Sequence, residues 1–181
     1  WKRALPEAEI VAAAADQEPT DQVRAVELAV GQAKRRAESG EDVVVILDSL
    51  SRLALGYRDP AKVKTLFGAG RELSEEGAGS LTMIATVLDS DDRGAAVREA
   101  LETTENALLR LDAGLAAKGI VPSLIVAECR VTGEEQLRSP QELEAVRELR
   151  AELSEMDPEE AARALGERID GTKTNTELLG G

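Results

Sequence analysis

The residues Asp42-Val43-Val44-Val45-Ile46-Leu47-Asp48-Ser49 carry the best candidate for chemistry in this chain, an unbroken aliphatic run that ends in a carboxylate. Such a run reads as a buried parallel strand. Ligands collect beyond the carboxyl ends of parallel strands, so Asp48 stands where many nucleoside triphosphatases present an acid to magnesium. Two readings stay open on these residues alone, a metal-side acid and a polar strand terminus, because an aliphatic run closed by Asp also arises by chance in α/β strands.

Composition narrows the chemistry further. The chain has no histidine and one cysteine, Cys129, which excludes imidazole acid–base catalysis, histidine-based zinc sites and an intramolecular disulfide. Cys129 has no base to activate it and reads as a small buried apolar residue. A net charge of −13 argues against broad, non-specific affinity for nucleic acid and leaves room only for local cationic sites. The 181 residues suit one domain, with a core of Ala, Val, Leu and Ile because there is one each of Trp, Tyr and Phe. No apolar run is long enough to span a bilayer and no signal segment opens the chain, so no membrane association and a cytoplasmic location are expected. Trp1 in place of Met suggests a piece of a longer polypeptide.

The elements that must position Asp48 follow a βαβ rhythm. A strand is expected over Glu9 to Ala15 and a helix from Thr20, its cap, with Val23, Val26, Val30 and Ala33 at helical spacing and Gly40 past its end. After the Val43–Leu47 strand comes a short helix carrying Leu50, Leu53, Ala54 and Tyr57. Asp59-Pro60 starts another helix, reaching about Leu73. Ser80 to Leu88 reads as a second buried strand, followed by a charged loop, Asp89 to Gly94, and a helix from about Ala95 to Leu101. Ala107–Leu111 and Ile120–Ala127 read as two further strands, antiparallel at a sheet edge. Ser139-Pro140-Gln141-Glu142 and Asp157-Pro158-Glu159-Glu160 each open an acidic helix with a capping residue and a proline at the first position. The Gly180-Gly181 end is expected to fray.

Three stretches are similar to the ATPase domain of the transcription termination factor Rho family: Val43 through Ala54, Phe67-Gly68-Ala69-Gly70-Arg71-Glu72, and Glu75-Glu76-Gly77 with Gly79 through Thr86. Ser139 through Leu143 resembles that family's helix opening, and Gly171 through Leu179 resembles its carboxyl-terminal signature. The resemblance implies an α/β fold of RecA type, a mostly parallel sheet flanked by helices with an appended carboxyl-terminal helical hairpin. It divides the chain into residues 1–137, part of the ATPase domain without its P-loop, and 138–181, the helical extension. It also implies ATP and Mg2+ as cofactors, self-association into a hexameric ring, and RNA and RNA polymerase as partners. Under it Asp48, with Ser49 beside it, becomes the Walker B acid that holds magnesium through water at the β- and γ-phosphates. Arg52, one helical turn on, could orient a nearby carboxylate or the neighbouring subunit, and a structural ion pair is the role expected of it.

The chain also departs from the family. No Gly-x-x-x-x-Gly-Lys-Ser/Thr occurs, so the phosphate cradle is missing from these residues and they are not expected to hydrolyse ATP alone. The long pore loop after the Walker B helix is replaced by Tyr57-Arg58-Asp59-Pro60-Ala61-Lys62. Arg93, within Asp89 to Gly94, falls at or near the family's RNA-contacting lysine, beside three aspartates. Ala113 stands where the finger arginine is expected, Arg110 being nearby but on the other strand face. The stretch around Cys129-Arg130-Val131-Thr132 replaces a family segment at the subunit interface. Two functional readings follow: a fragment of a Rho-like RNA translocase acting in transcription termination, or a diverged paralogue that serves as a nucleotide-binding regulatory or assembly module. A purely structural α/β interaction domain is the third.

Overall fold

A computed structural model of the chain describes residues 3–11, 17–57, 59–73, 77, 79–89 and 91–179, apart from the side chains of Pro60 and Arg93. They divide into two compact units, Trp1–Thr104 and Glu105–Gly181.

In the first unit, α1 (Pro19–Glu38) carries Pro19 in its first turn, where a missing N–H costs nothing, and places Asp21 early and Arg35 and Arg36 late, each where the helix dipole favours its sign. The cap position belongs to Glu18, which makes no side-chain cap bond, so the expected cap Thr20 lies inside the helix. Val23, Val30, Ala33 and Ala37 are buried along one face at helical spacing. Gly40 then turns the chain with φ +99°, a conformation that residues bearing a Cβ rarely adopt. Of the strand expected over 9–15, residues 12–15 lie outside the described residues and 9–11 belong to no strand.

The central ladder is β1 (Asp42–Leu47) paired in parallel with β3 (Ser80–Ala85), Val44 opposite Thr82 and Ile46 opposite Ile84. On the far edge of β3, β2 (Arg71–Glu72) pairs antiparallel, giving the order β1-β3-β2. Between β1 and β2 run α2 (Leu50–Tyr57) and α3 (Pro60–Phe67), and α4 (Asp92–Leu101) follows β3. The helix expected to reach Leu73 ends at Phe67, where Gly68 caps it, and Arg71 and Glu72 are drawn into the ladder instead. Residues 74–76 of the expected block lie outside the described residues.

Both strands were expected to be buried, and within these 181 residues each is buried on one face. Val43, Val45, Leu47, Leu81, Met83 and Ala85 point into a core shared with Val30, Leu50, Leu53, Val63 and Val97. Side chains alternate along a strand, so the other face carries Val44, Ile46 and Ile84, which are 59, 61 and 51% exposed. α1 packs on the ladder from the core side.

The second unit has β4 (Ala107–Leu108) antiparallel to β5 (Arg130–Val131), with a lone bridge between Leu111 and Leu124. The strand expected over Ile120–Ala127 at a sheet edge does not form: residues 126–128 wind into a 3-10 turn, and β4 pairs instead with 130–131 in a two-stranded sheet separate from β1-β3-β2. Between these strands α5 (Ala113–Ala117) is capped by Asp112, whose Oδ1 accepts from the Leu115 amide at 2.8 Å. The helical hairpin is α6 (Pro140–Ser154) and α7 (Pro158–Asp170), and Leu153 and Ala162 are its most buried side chains. An Arg168–Glu152 ion pair ties the two helices. The short α8 (Asn175–Leu178) explains the Thr174-x-x-Glu177 spacing: Thr174 Oγ1 accepts from the Glu177 amide at 3.2 Å, and Glu177 Oε2 accepts from the Lys173 amide at 2.7 Å. Gly180 and Gly181 lie outside the described residues. Among the described residues no helix is long and apolar enough to cross a membrane.

The capping box at α6 forms as its sequence predicts. Ser139 Oγ accepts from the Glu142 amide at 3.3 Å, and Glu142 Oε2 accepts from the Ser139 amide at 2.9 Å. The Ser139 backbone and hydroxyl hold the Glu142 carboxyl below its ordinary pKa. A carboxyl whose pKa is depressed by folding stabilises fully above its unfolded value and loses that contribution as the pH falls through the lower folded one. Ser139→Ala is expected to cost about 1 kcal/mol at neutral pH. In thermal melts the gap to wild type narrows below about pH 4.

Candidate functional site

At the carboxyl end of β1 the chain passes from buried Leu47 to exposed Asp48 and buried Ser49, and the Asp48–Ser49 peptide bond is cis. Three hydrogen bonds join this corner to Thr86, which follows β3. The Thr86 amide donates to the Leu47 carbonyl at 3.0 Å, the Leu50 amide donates to the Thr86 carbonyl at 2.9 Å, and Thr86 Oγ1 donates to Asp48 Oδ1 at 2.8 Å. Oδ2 of Asp48 has no hydrogen-bond partner among the described residues. Ser49 is 5% exposed and its Oγ accepts from the Arg52 amide at 3.3 Å, so this hydroxyl serves the first turn of α2. The accessible chemistry at the strand end therefore belongs to Asp48.

These residues fit a magnesium site of one particular kind. Among the described residues no group of three or more potential ligands could enclose a metal. Mg2+, however, is held at nucleotide sites by one or two carboxylates, the remaining positions going to phosphate oxygens and water. An exposed carboxylate with one oxygen fixed and the other open suits that role.

The chain beyond β3 is clasped to α2. Ser51 Oγ accepts from the Leu88 amide at 2.9 Å and lies 3.3 Å from the Leu88 carbonyl, to which it donates. Arg98 Nε then pairs with Asp89 at 3.2 Å, and its Nη1 with Glu102 at 3.1 Å. The expected loop from Asp89 to Gly94 is shorter than its sequence suggests, because Asp91 caps α4 by accepting from the Gly94 amide at 2.8 Å, and the helix starts at Asp92. Gly94 is required there, since a Cβ would fall 1.8 Å from the Leu88 carbonyl oxygen. Arg93 stands in the first turn of α4, with its side chain outside the described residues, as is Ser90.

Other expected residues fare differently. Arg52 is exposed and makes no ion pair among the described residues, so the expected structural pair is absent: the first turn of α2 points it to solvent. Arg110 Nε pairs with Glu128 at 3.3 Å, and Ala113 opens α5. Cys129 is half-buried, not enclosed; its Sγ lies 3.4 Å from both the Arg110 amide and the Ile125 carbonyl, which tie it to a strand edge. α2 ends at Tyr57 and α3 begins at Pro60, which leaves no room for a long loop between them. At the carboxyl end of α1, a shallow concavity is lined by Glu9, Gln32, Arg35, Arg36 and Ser39. There Glu41 holds Arg36 at 2.5 Å, its carboxyl lowered and the guanidinium raised by that hydrogen bond. Sequence reasoning missed Thr86 and Ser51. The parallel register was the available signal for Thr86: extending Ile46 opposite Ile84 by two residues sets Asp48 beside Thr86.

Comparison with known structures defines the class first. The chain matches a prototypical ATPase from the type III secretion system of pathogenic bacteria with a TM-score of 0.69 and 17% identity, over 92% of this chain and 60% of that one. The fold is RecA-type. No protein-family model matches the chain. It is 35% identical over 190 residues to transcription termination factor Rho of Mycobacterium leprae, covering 94% of this chain and 31% of that protein. Rho of Pseudomonas aeruginosa is 35% identical over 190 residues, 94% of this chain and 45% of its own length, and Rho of Rhodopirellula baltica 31% over 194 residues, 96% and 37%. Nearly the whole chain is thus similar to a part of transcription termination factor Rho, and it spans less than half the length of these curated relatives.

Proposed function

We propose that this chain is the part of a Rho-like, ATP-dependent RNA translocase domain that supplies the magnesium-side acid, and that it acts in transcription termination only within a protein that also carries a phosphate-binding loop. The observation that carries this reading is the Asp48 carboxylate, exposed at the end of the central parallel strand with Oδ1 held by Thr86 and Oδ2 open. Asp48 with Ser49 forms the nucleotide-side corner. Asp48 would hold Mg2+ through its open oxygen, and Ser49 caps α2 so that the corner keeps its shape. A bound Mg2+ supplies neutralisation of charge on the β- and γ-phosphate oxygens. Arg93, in the first turn of α4, is the candidate RNA contact. Repeated around a hexameric ring, one such cation per subunit could track a phosphate backbone.

A second reading, a diverged paralogue that binds nucleotide without translocating RNA, is favoured by the direct α2–α3 junction and by Ala113 at the finger position. An arginine finger contributes several orders of magnitude in rate, so its absence leaves binding intact and turnover slow. The deciding measurement is steady-state ATP hydrolysis by the full-length parent protein, with and without RNA. RNA-stimulated turnover is the expected result. Nucleotide binding without turnover would transfer the assignment to the second reading.

A further inference from the structure

We infer that Thr86 is a positioning residue for the Asp48 carboxylate, fixing which of its two oxygens faces the metal. The inference rests on the reading of Asp48 as the magnesium-side acid. Thr86 is pinned to the end of β1 by two backbone hydrogen bonds, to Leu47 and from Leu50, before its side chain is considered. Its hydroxyl position is therefore set by the sheet and not by a ligand, and a β-branched side chain has little χ1 freedom left. From that fixed point Oγ1 donates to Asp48 Oδ1 at 2.8 Å. An ionised carboxylate only accepts hydrogen bonds, so one donor at Oδ1 orients the group and leaves Oδ2 to a cation.

Burial does not explain this bond. Asp48 and Thr86 are both exposed, and water could satisfy either of them. What the direct bond adds is orientation, which a water shell does not give. The same ladder contains its own control. At the amino end of the two strands Ser80 Oγ donates to Asp42 Oδ1 at 2.8 Å, in the same register relation and far from the strand ends where Asp48 lies. If such pairs only stitched the ladder, breaking either one would have the same consequence.

The test uses the full-length parent protein and a fluorescent non-hydrolysable ATP analogue, titrated in EDTA and over a series of Mg2+ concentrations. Thr86→Val and Thr86→Ala are expected to raise the Mg2+ concentration that gives half-maximal tightening by about tenfold or more, the usual penalty for losing a partner that orients a ligand. Their affinity for the analogue in EDTA stays at the wild-type value. Thr86→Ser, which keeps the hydroxyl, restores the midpoint, and Ser80→Ala leaves it in place. A wild-type Mg2+ midpoint in both Thr86→Val and Thr86→Ala, with Asp48→Ala abolishing the tightening, overturns the role of Thr86 alone. Tightening that survives in Asp48→Ala overturns the assignment of Asp48 itself.

Discussion

Asp48→Ala in the full-length parent protein is expected to abolish magnesium-dependent ATP turnover, and Asp48→Asn, which keeps the shape and removes the charge, to come close to it. Neutralising phosphoryl charge through a metal is worth several kcal/mol in the transition state, so losing the metal's protein ligand should lower kcat by about three orders of magnitude. The geometry explains why no neighbour should compensate. Ser49 is buried and engaged in α2, and Thr86 offers its hydroxyl to Asp48 itself. Among the described residues no group of three or more potential ligands is placed to take a metal. The check is kcat at saturating ATP and Mg2+, read beside a thermal melt. Because Asp48 is exposed, the variant should melt with the wild type. Unchanged turnover would remove Asp48 from the site.

Leu50→Ala is expected to be the most damaging change in stability, costing about 2–5 kcal/mol, while Ile46→Ala four residues earlier costs under about 1 kcal/mol. Leu50 is fully buried, among Leu53, Val63 and Val97, at the first position of the helix that follows Asp48. Removing its side chain leaves a cavity that a close-packed core closes only in part. Ile46 is the larger surprise, since it sits within β1 opposite Ile84 and is still 61% exposed. Urea denaturation of the 181-residue chain distinguishes the two, each variant being compared through its midpoint at a shared slope. A loss at Ile46 equal to that at Leu50 would mean that this face is covered in solution.

Much of the molecule was legible in local chemistry. The helix from Ser139, with its serine cap, first-turn proline and glutamate reaching back, forms as written, because a capping box satisfies its donors within four residues. α2 and α7 likewise follow from periodicity and caps. The acid at the end of β1 was legible for a similar reason: a run of aliphatic residues closed by a carboxylate states where a strand stops. Errors gathered where two segments distant in sequence compete. Arg71 and Glu72 continue a helical pattern, yet the open edge of β3 takes their backbone groups. Asp89 to Gly94 reads as a loop by composition, and Asp91 turns half of it into a helix start by accepting one amide.

By itself, then, the sequence determined α1, α2, α6 and α7, the strand that presents Asp48, the absence of histidine chemistry and the resemblance to Rho, because each depends on residue types and short spacings along one stretch of chain. Only the tertiary structure decided which face of that strand these residues cover, that Ser49 turns inward, and that Thr86 holds one oxygen of Asp48. Those facts depend on which side of the sheet α1 covers and on the register of two strands nearly forty residues apart. Periodicity says that side chains alternate; only packing says which alternate set is covered.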